Sequence, residues 1–208
     1  MNTSTTVFVV DDNIGVCNSI SELLESVNLG SKTYQSSDEF LADFDPSRPG
    51  CLVLDVRLRA GKNGLDLQDE LQRRNATIPI IVLTGHGNVP TSVRALKAGA
   101  IDFLQKPCPP KLLLERIQAA LEIDQQQRAL AGEHAAVIAR LEHLTPRENE
   151  VMEMLLTGKT SKEIATALDL SVRTVEGHRR MVFMKLDVAS AAQLVRSVLD
   201  ARGTPRPG

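Results

Sequence analysis

Short runs made almost purely of Val, Ile and Leu recur through the first half of the chain, at Val7–Val10, Cys51–Leu54 and Ile80–Leu83. Between them lie stretches with apolar residues at helical spacing, among them Ser19–Val27, Leu65–Arg73 and Val89–Lys97. Apolar runs that do not alternate with polar residues are buried on both faces, as in a parallel sheet covered by helices. Two weaker strands, around Ser31–Tyr34 and Asp102–Gln105, bring the number to five, and the strand-helix rhythm predicts an α/β fold with a parallel five-stranded sheet.

From Pro109 the pattern turns helical and stays so. Leu113, Ile117 and Leu121 are spaced by four, and after a Gln-rich stretch Leu130, His134, Val137, Leu141 and Leu144 follow at four-three spacing. This predicts a long connecting helix. Gly132 and the polar segment Asp124–Arg128 leave a second reading open, a hinged linker broken near Gly132, because glycine costs about 1 kcal/mol in a helix interior. The stripe could pack on a partner or on the chain's own first domain. Beyond Leu144 four short helices are expected, separated by Thr157–Thr160, Asp169–Ser171 and Asp187–Ser190. Thr145 is placed to cap the first of them, with Pro146 at the first helical position and acids in the first turn. The resulting division is a first domain over 1–122, a helical linker over 123–143, an all-α four-helix domain over 144–202 and a disordered tail over 203–208.

A length of 208 residues suits two such cores. With 42% apolar and 24% charged residues the composition is globular, no apolar run is long enough to cross a membrane, and Met1–Thr6 does not read as a signal peptide, so a cytoplasmic location is expected. Cys17, Cys51 and Cys108 have no metal-ligand spacing and read as reduced packing thiols. The net charge of −2 hides an asymmetry: residues 1–124 carry 12 basic and 16 acidic side chains, whereas 144–208 carry 10 and 8. The shift has the sign expected if the second half meets a polyanion.

Ligand sites in open parallel sheets lie at the carboxyl ends of strands. Asp11 and Asp12 follow the first strand, Asp55 ends the third, Thr84 ends the fourth, and Lys106 with Pro107 follows the fifth. Crowded carboxylates repel one another and are relieved by a hard divalent cation, which makes Asp12 and Asp55 candidate Mg²⁺ ligands. A carboxylate beside such an ion can attack a phosphoryl group. Asp55 is best placed as the nucleophile, with Lys106 and Thr84 to contact phosphoryl oxygens and sense the modification. Each residue alone has a plainer reading: a strand-end Asp as a helix cap, Lys-Pro as a turn, Phe103 as a core side chain. Five features in order over five strands favour the site.

Taken together, the motifs Val7-Phe-Val-Val-Asp-Asp12, Leu52-Val-Leu-Asp-Val56, Thr84-Gly-His86, Lys97-Ala-Gly-Ala100 and Asp102-Phe-Leu-Gln-Lys-Pro107 resemble, over residues 5–122, the receiver domain of two-component response regulators of the NarL/FixJ family. The resemblance implies a flavodoxin-like (βα)5 fold. It implies metal binding by Asp12, Asp55 and the backbone carbonyl of Arg57 with Asp11 in support, phosphorylation of Asp55 by a sensor histidine kinase, and a switch through Thr84 and Phe103. One stretch departs from the pattern. Arg59 stands where the family usually has proline, and the following glycines, Gly61 and Gly64, imply a loop one residue longer.

In the second half, Ser161–Leu168 and Ser171–Leu186 are helices joined by a tight turn at Asp169-Leu170, with Ile164, Ala165 and Leu168 facing inward, the spacing of a helix-turn-helix. Ser171 is placed to cap the second helix, which sets Arg173, Glu176, Gly177 and Arg180 on one side and Val175, Val182 and Leu186 on the other. The segments Leu144-Thr-Pro-Arg-Glu148, Lys162-Glu-Ile-Ala165, Thr174-Val175, His178 and Lys185-Leu186 resemble the LuxR-type DNA-binding domain over 144–199. That resemblance gives base reading to Glu176, Gly177 and Arg180, and backbone contacts to Lys162, Arg173, Thr174, His178, Arg179 and Lys185. Two positions depart from the usual pattern: Glu176 replaces a basic residue and could accept from cytosine N4, and Ser161 replaces an Asn.

The expected protein is a transcription regulator rather than an enzyme, its chemistry limited to Mg²⁺-dependent phosphorylation and dephosphorylation at Asp55. Its expected partners are a sensor histidine kinase, double-stranded promoter DNA, a second copy of itself on activation and RNA polymerase, with no membrane. Two other readings stay open: a receiver working mainly in phosphotransfer, and a DNA-binding protein uncoupled from phosphorylation by its altered loop.

Overall fold

The computed structural model describes residues 5–58, 63–85 and 89–203. The chain forms two units, Met1–Gln127 and Arg128–Gly208. In the first, five strands, β1 (Thr6–Val10), β2 (Gly30–Tyr34), β3 (Gly50–Leu54), β4 (Ile80–Thr84) and β5 (Asp102–Gln105), pair in parallel in the order β2-β1-β3-β4-β5. The helices between them are α1 (Ile14–Glu25), α2 (Ser37–Asp43), α3 (Gly64–Arg73) and α4 (Val89–Lys97). The parallel five-stranded sheet is the one expected from the apolar runs, and its strand order is that of the flavodoxin-like fold the resemblance implies. The central strands β3 and β4 are buried at every position, and β2, at the edge, is buried only at Tyr34.

Strand periodicity divides the core in two. Val7, Val9, Cys51, Val53, Ile81 and Leu83 point to one face and pack with Ile20 and Leu24 of α1 and with Leu113 and Ile117 of the fifth helix, α5 (Pro110–Leu141). Phe8, Val10, Leu52, Leu54, Ile80 and Val82 point to the other, against Phe40 of α2, Leu67 and Leu71 of α3 and Ala95 of α4. Each such side chain stabilises the fold by about 1.5–3 kcal/mol through removal from water. Cys17 and Cys51 are buried free thiols, and burial pushes the Cys51 thiol up to about 12, so both serve packing.

Several expectations need correcting. The first helix starts at Ile14, five residues ahead of the stretch legible as helix, because the Asn13 side chain accepts from the Gly15 amide and caps it. The seven-residue α2 is capped by Ser36, whose side chain accepts from the Glu39 amide. The break considered near Gly132 is absent: α5 runs through that position, where the glycine faces open space. Asp124, in the stretch read as linker, is buried, and its Oδ2 accepts from the Gly50 amide at 2.9 Å, fixing α5 to the start of β3.

The second unit holds the end of α5 and four helices, α6 (Pro146–Leu156), α7 (Ser161–Leu168), α8 (Val172–Leu186) and α9 (Ala191–Arg202). Thr145 with Glu148, and Thr160 with Glu163, form reciprocal capping boxes, while Ser171 and Ser190 cap the last two helices. Their core joins Val151, Met152, Leu155, Ile164, Val175, Val182, Leu186, Leu194 and Val198. Val137, Leu141 and Leu144 of the linker stripe pack on this core, and Leu130 is 54% exposed. Among the described residues no helix is long and apolar enough to cross a membrane.

Candidate functional site

In this strand order the chain reverses direction across the sheet between β1 and β3, the point at which open α/β sheets form a crevice for ligands. The registers Val10 to Leu54 and Thr84 to Gln105 bring the strand ends level there. Asp11 and Asp12 extend from β1 and Asp55 from β3, and one carboxylate oxygen from each lies within 4.8 Å of the others. Lys106, just past β5, donates to Asp55 Oδ2 at 2.7 Å and also to Asp11 Oδ2. The Arg57 amide donates to Asp55 Oδ1 at 3.1 Å, and the Asn13 amide to Asp11 Oδ1 at 3.0 Å. These residues line an open cavity of about 610 Å³ together with Ile14, Val16, Leu58 and Gly85.

Asp11 is 2% and Asp55 8% exposed. Burial pushes the Asp11 carboxyl above its usual range, with the Lys106 hydrogen bond only partly opposing it. Burial by itself would lower the Lys106 ammonium, but its hydrogen bonds to Asp11 and Asp55 outweigh that and raise it. Among the described residues three carboxylates gather around the Lys106 ammonium, a set of hard oxygen donors that suits Mg²⁺. Thr84 is fully buried at the end of β4, and Phe103, paired with Val82, is half-buried against the core on the α4 face.

Gly64 belongs to the site in a way the spacing did not reveal. A Cβ there would stand 2.1 Å from the Asp55 carbonyl oxygen, so only glycine lets α3 begin this close to the acidic cluster. Its amide donates to the Val56 carbonyl at 2.9 Å. Of the atypical loop after Asp55, Arg59 and Gly61 lie outside the described residues, as do His86 and residues 204–208 of the tail.

The second unit presents a different surface. Asp169 at the end of α7 adopts the left-handed conformation, φ 52°, and turns the chain into α8. Val175, Val182 and Leu186 face the core, while Arg173, Thr174, Glu176, Gly177 and Arg180 are exposed together along α8, with Lys162 exposed on α7. His178 and Arg179 are half-buried. Two of the cations expected at DNA backbone are engaged within the protein. Lys185 Nζ donates to Glu148 Oε2 at 2.6 Å and to the His143 carbonyl at 3.1 Å. Arg179 donates to Ser161 Oγ and lies over the Phe183 ring at 5.3 Å. Burial alone would raise the Glu148 carboxyl, but the bonds from Lys185 and from Thr145 outweigh it and hold it below its usual value.

Residues 7–118 match the family described as response regulator receiver domain, and residues 142–198 match bacterial regulatory proteins of the luxR family. The chain is 43% identical over 195 residues to nodulation protein W of Bradyrhizobium diazoefficiens, covering 94% of this chain and 86% of that protein. It is 36% identical over 203 residues to the transcriptional regulatory protein FixJ of the same organism, covering 97% and 98%. The low-resolution structure of the response regulator StyR superposes with a TM-score of 0.81 at 37% identity, over 94% of this chain and 98% of that one. The chain belongs to the NarL/FixJ family of two-component response regulators, transcription regulators that join a receiver to a LuxR-type DNA-binding domain. Such proteins are regulatory rather than primarily catalytic; the receiver implies a histidine kinase as partner, and the LuxR-type domain implies DNA.

Proposed function

We propose that a sensor histidine kinase phosphorylates Asp55, and that the modified protein dimerises and binds promoter DNA. The observation that carries this reading is the Asp55 carboxylate, held between the Arg57 amide and the Lys106 ammonium and faced by Asp11 and Asp12 in an open cavity. Asp12, Asp55 and the Arg57 carbonyl, with Asp11 in support, would hold Mg²⁺. When bound, that ion neutralises charge on a transferring phosphoryl group. Asp55 attacks phosphorus through Oδ and forms an acyl phosphate as the donor's bond to phosphorus breaks. Lys106 then exchanges a carboxylate contact for a phosphoryl oxygen, Thr84 hydrogen-bonds another, and the space taken up near β4 shifts Phe103.

The receiver is assigned residues 1–122, the helical linker 123–143 and the DNA-binding domain 144–202, in a cytoplasmic protein. In the second domain Gly177, Arg180 and Glu176 read bases, and Lys162, Arg173, Thr174 and His178 hold the DNA backbone. RNA polymerase is a further partner once the dimer is on its promoter. A phosphotransfer role alone leaves the exposed basic face of α8 unexplained. The test of the site is the intact mass after incubation with Mg²⁺ and acetyl phosphate. One added phosphoryl group in the wild type, absent from Asp55→Asn and from samples with chelator, is expected; equal labelling of Asp55→Asn overturns the assignment.

A further inference from the structure

The two positions at which the second domain departs from the LuxR-type pattern touch each other. Ser161, the first residue of α7, donates its hydroxyl to Glu176 Oε1 on α8, fifteen residues later. Arg179, one turn along α8 from Glu176, donates from Nη1 to the same Ser161 hydroxyl at 3.3 Å and stands 3.9 Å from Glu176 Oε1. The Arg179 guanidinium is itself seated on the Phe183 ring, 5.3 Å from its centroid. Four side chains thus form a relay: ring, guanidinium, hydroxyl, carboxylate. A hydroxyl that accepts from an arginine and donates to a carboxylate has its one proton committed, so the direction of the relay is fixed.

The geometry points to Ser161 and Arg179 as positioning residues that hold Glu176 as a rigid hydrogen-bond acceptor selecting cytosine at one position of the DNA half-site. This rests on the reading of α8 as the base-reading helix. The contacts described for the carboxylate are made through Oε1, and Glu176 is exposed on α8 together with Arg173, Gly177 and Arg180, so its second oxygen is available to a base. In the major groove an acceptor without a donor suits the cytosine N4 amino group, is repelled by the acceptors of guanine and thymine O4, and at adenine meets the N7 acceptor beside the N6 amino group. A carboxylate on a mobile side chain would swing away from those acceptors and discriminate weakly. Here Ser161 and Arg179 prevent the escape. Arg179 is therefore a brace for its neighbour rather than a clamp on phosphate, and Gly177, which has open space around it, lets the base edge approach the fixed carboxylate.

The test is selection from a library of synthetic duplexes with a randomised core, using the full-length protein incubated with Mg²⁺ and beryllofluoride at fixed salt, with sequencing of the bound fraction. Wild type is expected to prefer cytosine by about tenfold at one position per half-site. Glu176→Gln and Ser161→Ala should each relax that position by about fivefold or more while the others stay as they were. The double variant should be no worse than Glu176→Gln, and Ser161→Thr, which keeps the hydroxyl, should restore the preference. Uniform weakening at every position in Ser161→Ala, or a preference that survives in it unchanged, overturns the relay while leaving the DNA-binding reading intact. No enrichment of any duplex by wild type overturns both.

Discussion

The Lys106 ammonium, from the segment after β5, lies 2.7 Å from Oδ2 of Asp55 at the end of β3 and also pairs with Asp11. One cation thus serves two buried carboxylates, and the third, Asp12, lies within the same few ångströms. In the proposed switch, a phosphoryl group at Asp55 would change which oxygens Lys106 can reach.

Removing this cation gives the first prediction. In Lys106→Ala the carboxylates lose their internal counterion, and Mg²⁺ no longer competes with it. Binding of Mg²⁺ should tighten by about tenfold, as a charge a few ångströms away in a partly wet site requires. The gain in DNA affinity on adding a phosphoryl donor should disappear. Calorimetric titration with Mg²⁺ checks the first effect; unchanged affinity would place Lys106 outside the metal's field.

The second concerns Gly64, whose missing Cβ is what keeps α3 seated beside Asp55. Gly64→Ala should destabilise the receiver by about 3 kcal/mol, the cost of forcing backbone apart in a packed site, and slow phosphorylation of Asp55. Urea unfolding and phosphorylation rates report the two. Gly132, by contrast, faces open space in mid-helix, and Gly132→Ala should raise helix stability by about 1 kcal/mol.

Acid should weaken the DNA-binding domain through Glu148. Its carboxyl is held below the usual 4.5 in the folded domain, against the pull of burial, by Lys185 and Thr145. The resulting stabilisation is complete above pH 4.5 and is lost as the pH falls through the lowered folded value. Glu148→Gln should flatten that acid limb. Lys185→Ala leaves a buried carboxylate without its cation and should cost about 2 kcal/mol, less than a fully buried pair because Lys185 is partly exposed. Thermal unfolding against pH measures both.

Arg173 and Arg180 are exposed on α8, whereas Arg179 and Lys185 are held by Ser161 and Glu148. Arg173→Ala should weaken binding to all sequences and reduce the slope of log affinity against log salt by about 1. Arg180→Ala should instead relax the choice of base. Equal salt slopes for Arg173→Ala and wild type would remove Arg173 from the phosphate contacts.

Much of this molecule was legible in its residues, and the illegible parts share a cause. Val7–Val10, Cys51–Leu54 and Ile80–Leu83 are strands buried on both faces, so composition alone marked them, and with them Asp11, Asp12, Asp55 and Thr84 at their ends. Caps such as Thr145 and Ser171 act over three residues and were equally visible. Asn13 also acts locally, yet the helix it starts has Gly15 and Asn18 in its first turns, which hid the apolar spacing until Ile20. What sequence order conceals is contact across distance. Asp124 bonds the Gly50 amide 74 residues away, Lys185 finds Glu148 across 37, and Ser161 meets Glu176 across 15. Their spacing along the chain gives no sign of these partners. The same holds for Val137 and Leu141, whose stripe was plain but whose packing partner was not.

The most direct test of the switch compares wild type with Asp55→Asn, each with Mg²⁺ and with or without beryllofluoride, recording oligomer mass and affinity for a duplex enriched from the randomised library at fixed salt. A Mg²⁺-dependent shift to dimer with tighter DNA binding in wild type alone is the predicted result. Identical mass and affinity for the two proteins under all conditions would contradict it and leave the receiver a phosphorylation-independent scaffold.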